Sequence, residues 1–183
     1  MIQRLDTPKI IFQSLVDLSR KMSVDKITVG DIMKNCGYKR ETFYYYYRSK
    51  EDLIISALQD NTQKIHETYS KNKTWELLML KNLEFCYEHR QLMIWLNQNS
   101  NRFEVDLRDF MVNYVCHMIL KDKIPQSDFS QMGEIRFYCG GASSIFEYWI
   151  TNHFKESKEE IAALIAAQLP LVLKTAMKTA EEN

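Results

Sequence analysis

A dense group of side chains able to contact another molecule lies between positions 39 and 50. They are cationic, hydroxyl-bearing or both aromatic and hydroxyl-bearing, with one carboxylate among them: Lys39, Arg40, Glu41, Thr42, Tyr44, Tyr45, Tyr46 and Lys50. Ammonium and hydroxyl groups bind phosphate oxygens, and the planar guanidinium of Arg40 can donate two parallel hydrogen bonds to one guanine. These residue types favour contact with a nucleic acid.

Two helices joined by a tight turn would place these side chains on one surface. Thr28 and Asp31 form a capping-box pattern that starts a short helix, and Gly37 can adopt the positive φ that ends it. In the next helix Phe43 and Tyr47 are four residues apart and share a face, which we expect to point inward. The remaining side chains are then left outward, on a short helix that can enter a major groove.

The positions of these residues predict separate roles on DNA. Arg40 is expected to read a base, and Tyr44 to hold a phosphate through its single hydroxyl. Thr28 and Lys50 lie at helix N-termini, which favour anions, so they are expected to position the DNA backbone with help from Lys39. The neighbouring glutamate has two interpretations, since it could accept a hydrogen bond from cytosine or remain in water.

Composition and periodicity predict an all-α protein. The chain has 183 residues, 45% hydrophobic and 26% charged, with 5 Gly and 3 Pro. Apolar residues recur at helical spacing in nearly every segment. Pro170 should kink the last helix, because it removes one backbone donor. About nine helices are predicted, over residues 8–22, 29–35, 39–46, 49–71, 74–88, 90–99, 102–121, 129–153 and 157–179.

The distribution of charge predicts two domains. Residues 1–50 carry 10 Lys and Arg against 5 Asp and Glu, a net charge of +5, whereas residues 51–183 carry 14 against 19, a net charge of −5. A basic segment ahead of an acidic body indicates that only the first meets a polyanion. We expect a helix-turn-helix DNA-binding domain over residues 1–50 and a helical regulatory and dimerisation domain over residues 51–183.

Several function classes find no support in the sequence. No apolar run approaches the roughly 18 residues that a membrane span needs, and the first residues lack the apolar core of a signal peptide, so we expect a cytoplasmic protein without a membrane partner. The four cysteines lie far apart and are expected to be reduced. Since no nucleophile–base pair, metal-ligand set or phosphate loop is visible, we expect neither an enzyme nor a cofactor or metal.

The helix-turn-helix segment resembles the TetR family of transcriptional regulators. The residues that match are Thr28-Val29-x-x-Ile32, Gly37, Thr42-Phe43-Tyr44, Tyr46-Tyr47 and Ser49-Lys50-Glu51-Asp52-Leu53. The resemblance, over about residues 8–60, implies a homodimer that binds double-stranded DNA at a pseudo-palindromic operator, as a repressor under small-molecule or protein control. It also implies DNA contacts from Tyr44, Tyr45 and Tyr46, although aromatic residues on a short helix more often belong to a core.

The sequence departs from the family pattern at two positions. Lys39 stands where a small capping residue is usual, which removes one cap and adds a cation that can meet phosphate. Tyr46 stands where histidine is usual, and its hydroxyl can still donate a hydrogen bond to phosphate.

Large aromatic and methionine side chains between residues 74 and 118 allow two interpretations. One is a well-filled helical core. The other is an effector pocket bordered by Trp95, Phe103 and Tyr114, with adaptable side chains around it.

A patch of small residues inside one predicted helix indicates close approach by another helix. Each glycine there costs roughly 1 kcal/mol of helix propensity. Together with the helix from Ser157, this patch resembles the four-helix dimer interface of TetR proteins, and the resemblance implies that Gly140, Gly141, Phe146 and Trp149 lie there. This region resembles the TetR subgroup that includes regulators of dihydroxyacetone-kinase operons, some of which respond to a partner protein.

One other function fits the pattern of helices. A helical adaptor or co-regulator that no longer binds DNA would share the fold and act through a protein partner. The intact set of Thr28, Thr42, Tyr44 and Lys50 argues against this alternative.

Replacement of Arg40 tests its predicted base contact. Arg40→Ala should cost roughly 1–3 kcal/mol per half-site on the operator and much less on random DNA, because a bidentate contact to guanine carries the discrimination. Binding titrations on both DNAs measure the difference. Equal losses on the two would make Arg40 a phosphate contact and pass base reading to Glu41, Thr42 or Tyr45.

Overall fold

The computed structural model describes residues 6–68, 74–125 and 128–181, and the regular structure within these ranges is helical. None of the described helices is long and apolar enough to cross a bilayer. The expected all-α fold is confirmed. The ten α-helices are α1 Thr7–Ser19, α2 Val29–Cys36, α3 Arg40–Tyr46, α4 Lys50–Thr68, α5 Trp75–Glu88, α6 Arg90–Asn99, α7 Phe103–Tyr114, α8 Phe129–Thr151, α9 Lys158–Ala167 and α10 Leu171–Glu181.

The helix count exceeds the prediction by one because Pro170 separates two helices instead of kinking one. α9 ends at Ala167, and α10 begins directly after the proline. The predicted seventh helix also changes form along its length, since α7 continues as a π-helical stretch, Val115–Ile119. The predicted end of the fourth helix, at Lys71, lies outside the described residues.

Helices α1 to α3 form the helix-turn-helix. The Ser14 hydroxyl on α1 donates to the Ile32 carbonyl on α2 at 2.7 Å, and the Asn35 amide donates to the Ser14 hydroxyl at 2.9 Å. α2 ends at Gly37, whose φ of 77° lies in the left-handed region that glycine adopts without a Cβ clash. This turn, predicted from the glycine, redirects the chain into α3.

Helix α4 connects the helix-turn-helix to the remaining helices. Leu53 and Ile54 are fully buried near its start. Further along, the Thr62 hydroxyl donates to the Asn82 side-chain oxygen on α5 at 2.6 Å. α5 packs against α9 and α7 against α8, so the second half of α4 borders a bundle formed by these helices.

Two residues predicted at the dimer surface, Phe146 and Trp149, lie inside the protomer. Trp149 is fully buried, and its indole N–H donates to the Glu156 carbonyl at 2.8 Å. The chain reverses after α8 and places the Phe154 ring edge-on to this indole, with centroids 4.6 Å apart. The expectation that these aromatic residues flank an interface was therefore wrong, because the turn after α8 covers Trp149, and the Phe146 ring packs against Phe103 inside the protomer.

Candidate nucleic-acid interface

The orientation of α3 is set by two aromatic rings on its inner face. Phe43 is fully buried and Tyr47 nearly so, with ring centroids 5.6 Å apart. Both were predicted to point inward, and the structure confirms it. Burial raises the pKa of Tyr47 to about 12, so its hydroxyl stays neutral.

The opposite face of α3 presents polar and aromatic side chains to solvent. Arg40, Glu41, Tyr44, Tyr45 and Tyr46 are all exposed. Tyr45 is 82% exposed, and its ring meets the Tyr46 ring edge-on at 4.9 Å. Such exposure excludes a core role for Tyr45 within one protomer. Thr42, half-buried, lies at the border of this face.

Arg40 and Tyr44 are already paired in the free protein. One guanidinium nitrogen of Arg40, Nη2, donates to the Tyr44 hydroxyl oxygen at 3.1 Å, and Cζ lies 5.6 Å from the centre of the tyrosine ring. The tyrosine therefore restricts the rotamers of the guanidinium, which reduces the entropy that Arg40 would lose on binding. The hydroxyl hydrogen of Tyr44 remains able to donate to a phosphate oxygen.

The Thr28 hydroxyl, predicted to contact phosphate, already has a hydrogen-bonding partner within the protein. Its hydroxyl donates to Asp31 Oδ2 at 2.6 Å and accepts from the Asp31 backbone N–H at 3.1 Å, which completes the predicted capping box. These hydrogen bonds lower the pKa of Asp31, so a carboxylate stands at the start of α2. The hydroxyl proton is engaged and a negative charge lies beside it, so Thr28 is poorly placed to bind phosphate.

Lys39 is an exposed cation next to α3. It occupies the N-cap position and makes no side-chain capping hydrogen bond, as expected from its departure from the family pattern.

Lys50, by contrast, is turned into the protein. Its ammonium donates to the Val24 and Ile27 carbonyls, both at 2.8 Å, and lies 4.5 Å from the centre of the Trp95 ring on α6. The indole N–H of Trp95 in turn donates to Asp25 Oδ1 at 2.8 Å. Burial lowers the pKa of Lys50, and the charges of Glu51 and Asp25 oppose that effect.

This group, Asp25, Lys50 and Trp95, joins the helix-turn-helix to the rest of the chain. It links the turn before α2, the first residue of α4 and the middle of α6. Two of the three N–H donors of the ammonium are thus directed at carbonyls instead of phosphate. Sequence reasoning missed the group because Asp25 and Trp95 are 70 residues apart and no local motif joins them.

Two family models match separate parts of the chain. Residues 20–57 match the family model described as bacterial regulatory proteins, tetR family. Residues 73–169, more than half of the chain, match a TetR-type model described as transcriptional regulator C-terminal region.

The chain belongs to the TetR family. Regulators of this family bind DNA through the helix-turn-helix and act as dimers. The matched residues 20–57 contain all of α2 and α3 and the start of α4.

One similar TetR-family protein is the HTH-type dhaKLM operon transcriptional activator DhaS of Lactococcus lactis subsp. lactis (strain IL1403). It is 26% identical over 106 residues, and the match spans 56% of this chain but only 57% of that relative. The named relatives are regulators of transcription and not enzymes.

Two solved structures share the fold. A dihydroxyacetone kinase operon activator DhaS matches with a TM-score of 0.68 at 21% identity, covering 93% of this chain and 98% of that one. The TetR family repressor AlkX from Dietzia sp. strain DQ12-45-1b, implicated in biodegradation of n-alkanes, matches with a TM-score of 0.52 at 11% identity. It covers 92% of this chain and 97% of its own.

The TetR-family C-terminal region contains a cavity of about 80 Å³ among α4, α5, α7, α8 and α9. Tyr114 lines it, as predicted for the effector pocket, and so does Phe146. The other two predicted pocket residues do not. Trp95 faces the helix-turn-helix, and Phe103 is buried behind the Phe146 ring, with centroids 6.3 Å apart.

The inward position of Lys50 predicts a different effect for its removal than for removal of Lys39. Lys50→Ala should lower the free energy of unfolding by about 1–2 kcal/mol without DNA, because it loses charge-assisted hydrogen bonds and a cation–π contact. Lys39→Ala should leave unfolding unchanged and lower the salt slope of DNA binding by about one ion per subunit. Denaturant unfolding and salt titrations measure both. If Lys50→Ala instead kept wild-type stability and lowered the salt slope of DNA binding, Lys50 would be a phosphate contact.

Proposed function

We propose that this protein is a homodimeric, sequence-specific regulator that binds a pseudo-palindromic operator with α3 in the major groove. The observation that carries the proposal is the exposed face of α3, where Arg40, Tyr44 and Tyr45 are held outward by the burial of Phe43. Residues 1–50 would form the DNA-binding domain and residues 51–183 the regulatory and dimerisation domain.

The side chains divide into a base-reading set and a phosphate-holding set. Arg40, paired to Tyr44, offers a preoriented guanidinium to a guanine. Tyr45 projects furthest and can contact a thymine methyl or a sugar. Lys39, Tyr44 and Tyr46 supply donors for phosphates. Glu41, exposed between them, would discourage phosphate nearby and select for cytosine.

An exposed stripe on α8 supports dimer formation. Phe137, Gly141, Ser144 and Tyr148 are spaced four, three and four residues apart and all face solvent, with Phe137 87% and Tyr148 60% exposed. Leu164 on α9 and Leu171 on α10 are exposed as well. Exposed apolar area of this kind marks an association surface. We propose that α8 and α9 pair with their symmetry mates across this stripe.

The direction of regulation depends on where the operator lies relative to the promoter, and not on the α3 surface. Repression is what the resemblance to the TetR family implied. Of the relatives, AlkX is named a repressor and DhaS an activator. We propose repression where the operator overlaps the promoter, with an effector acting on the helices after α4.

Binding of the wild-type protein to the DNA upstream of its own gene tests the proposal. Anisotropy titrations over a salt series should show affinity at least about 10³-fold above that for random DNA, falling as salt rises. Absence of binding at low salt would leave the adaptor function instead, and equal affinity for the two DNAs would contradict sequence-specific regulation.

A change at Gly141 tests the dimer separately from folding. A Cβ added there meets no atom within 4 Å in the protomer, so Gly141→Leu should fold, yet overpack a helix approaching α8. We expect the dimer dissociation constant to rise about tenfold or more, measured by sedimentation equilibrium.

The control is Gln59→Leu, which adds a leucine on the exposed side of α4. A wild-type protein that is monomeric at micromolar concentration, or a Gly141→Leu dimer as tight as wild type, would refute this interface.

A further inference from the structure

The cavity in the C-terminal region is lined mainly by apolar side chains. Protein interiors hold few voids larger than one water molecule, and this cavity, at about 80 Å³, exceeds that size several times. Met79, Leu107 and Met111 are among the apolar side chains that line it.

The polar groups at the cavity wall already have partners within the protein. The Thr62 hydroxyl donates to Asn82 Oδ1, and the Asn82 amide donates to the Leu78 carbonyl at 2.8 Å. The Trp75 indole N–H donates to the Tyr138 hydroxyl at 2.5 Å. These bonds use the single O–H of Thr62 and the single N–H of Trp75, so a ligand could accept a hydrogen bond from either only by breaking a bond.

Two further polar side chains at the wall offer no charge. The Tyr114 hydroxyl shares a 2.9 Å hydrogen bond with Nδ1 of His66 on α4. Burial raises the pKa of Tyr114 and of the Cys86 thiol, so both stay neutral. Within the described residues, the lining therefore presents no charged side chain.

We propose that this cavity is a binding site for a small, uncharged apolar molecule, and that it rejects polyols and other polar metabolites. The inference deepens the proposed regulatory function, because it names the chemical class of the effector. A polar ligand would lose its hydrogen bonds to water and meet a wall made mostly of apolar side chains, whereas an apolar ligand has no such bonds to lose. The two methionines can change rotamer to fit ligands of different shape.

The size of the cavity sets the scale of the ligand. A cavity of about 150 Å³ lined by aliphatic and aromatic residues binds benzene in another protein. This cavity has about half of that volume, so it fits benzene only if Met79 or Met111 moves. We expect a dissociation constant on the order of 1 mM for a ligand of this size.

Benzene and dihydroxyacetone form a matched pair of probes, because each has six non-hydrogen atoms. Calorimetric titration of the wild-type dimer without DNA should show binding of benzene and none of dihydroxyacetone. Thermal unfolding should shift upward with benzene alone, since a ligand that binds the folded state stabilises it. Binding of dihydroxyacetone that is lost on filling the cavity would overturn the proposal, and so would the absence of benzene binding.

Variants locate the site. Leu107→Phe on α7 fills the cavity and should abolish benzene binding, whereas Leu77→Phe, the same change on α5 outside the lining, should leave it intact. If Leu107→Phe does not fold, Cys86→Leu fills the cavity from another helix. Benzene binding that survives a folded filling variant places the ligand elsewhere and refutes the site.

Operator binding by the ligand-free protein is measured in parallel. Failure to bind benzene with operator binding intact contradicts the ligand class alone. Loss of operator binding in the wild-type protein contradicts the proposed function itself.

Discussion

Burial of Phe43 in the hydrophobic core determines which side of α3 meets DNA. α3 has seven residues, too few to be a stable helix in isolation, so its conformation depends on tertiary packing. Phe43 is fully buried, and the burial of a phenylalanine contributes about 1.5–3 kcal/mol. With Phe43 and Tyr47 on the inner side, helical geometry turns Arg40, Tyr44 and Tyr45 outward. The burial of Phe43 therefore determines which side chains α3 presents to DNA.

Lys50 and Trp95 connect the helix-turn-helix to the helices that follow it. The ammonium of Lys50 joins the carbonyls before α2 to an aromatic ring on α6, and Trp95 returns a hydrogen bond to Asp25. α4 starts at this lysine and reaches the apolar cavity at Leu58 and Thr62. A ligand that displaced α4 at the cavity would act on the helix whose first residue holds the helix-turn-helix in place.

Features encoded within a few residues could be predicted from the sequence. The capping box at Thr28, the left-handed turn at Gly37 and the inward rings of α3 all depend on local spacing. The same local pattern engages the Thr28 hydroxyl with Asp31, which argues against the predicted phosphate contact of Thr28.

Features that depend on distant packing could not be predicted. Trp149 was predicted at the dimer interface, but in the structure the turn at His153 and Phe154, both with positive φ, covers it. Trp95 was predicted to border the effector pocket, but its indole N–H donates to Asp25, which lies 70 positions away in the sequence. Helical periodicity gives the face of each helix, but it does not state which neighbour covers that face or whether a cavity remains.

Hydroxyl-radical footprinting of the DNA upstream of the gene tests the central claim most directly, since it shows where on the helix the protein lies. A two-fold dimer with α3 in the major groove should protect two symmetric segments whose centres lie about one helical turn, roughly 10 base pairs, or a multiple of that apart. Protection of a single segment, or uniform protection without a repeat, would contradict the account of α3 as a paired reading helix.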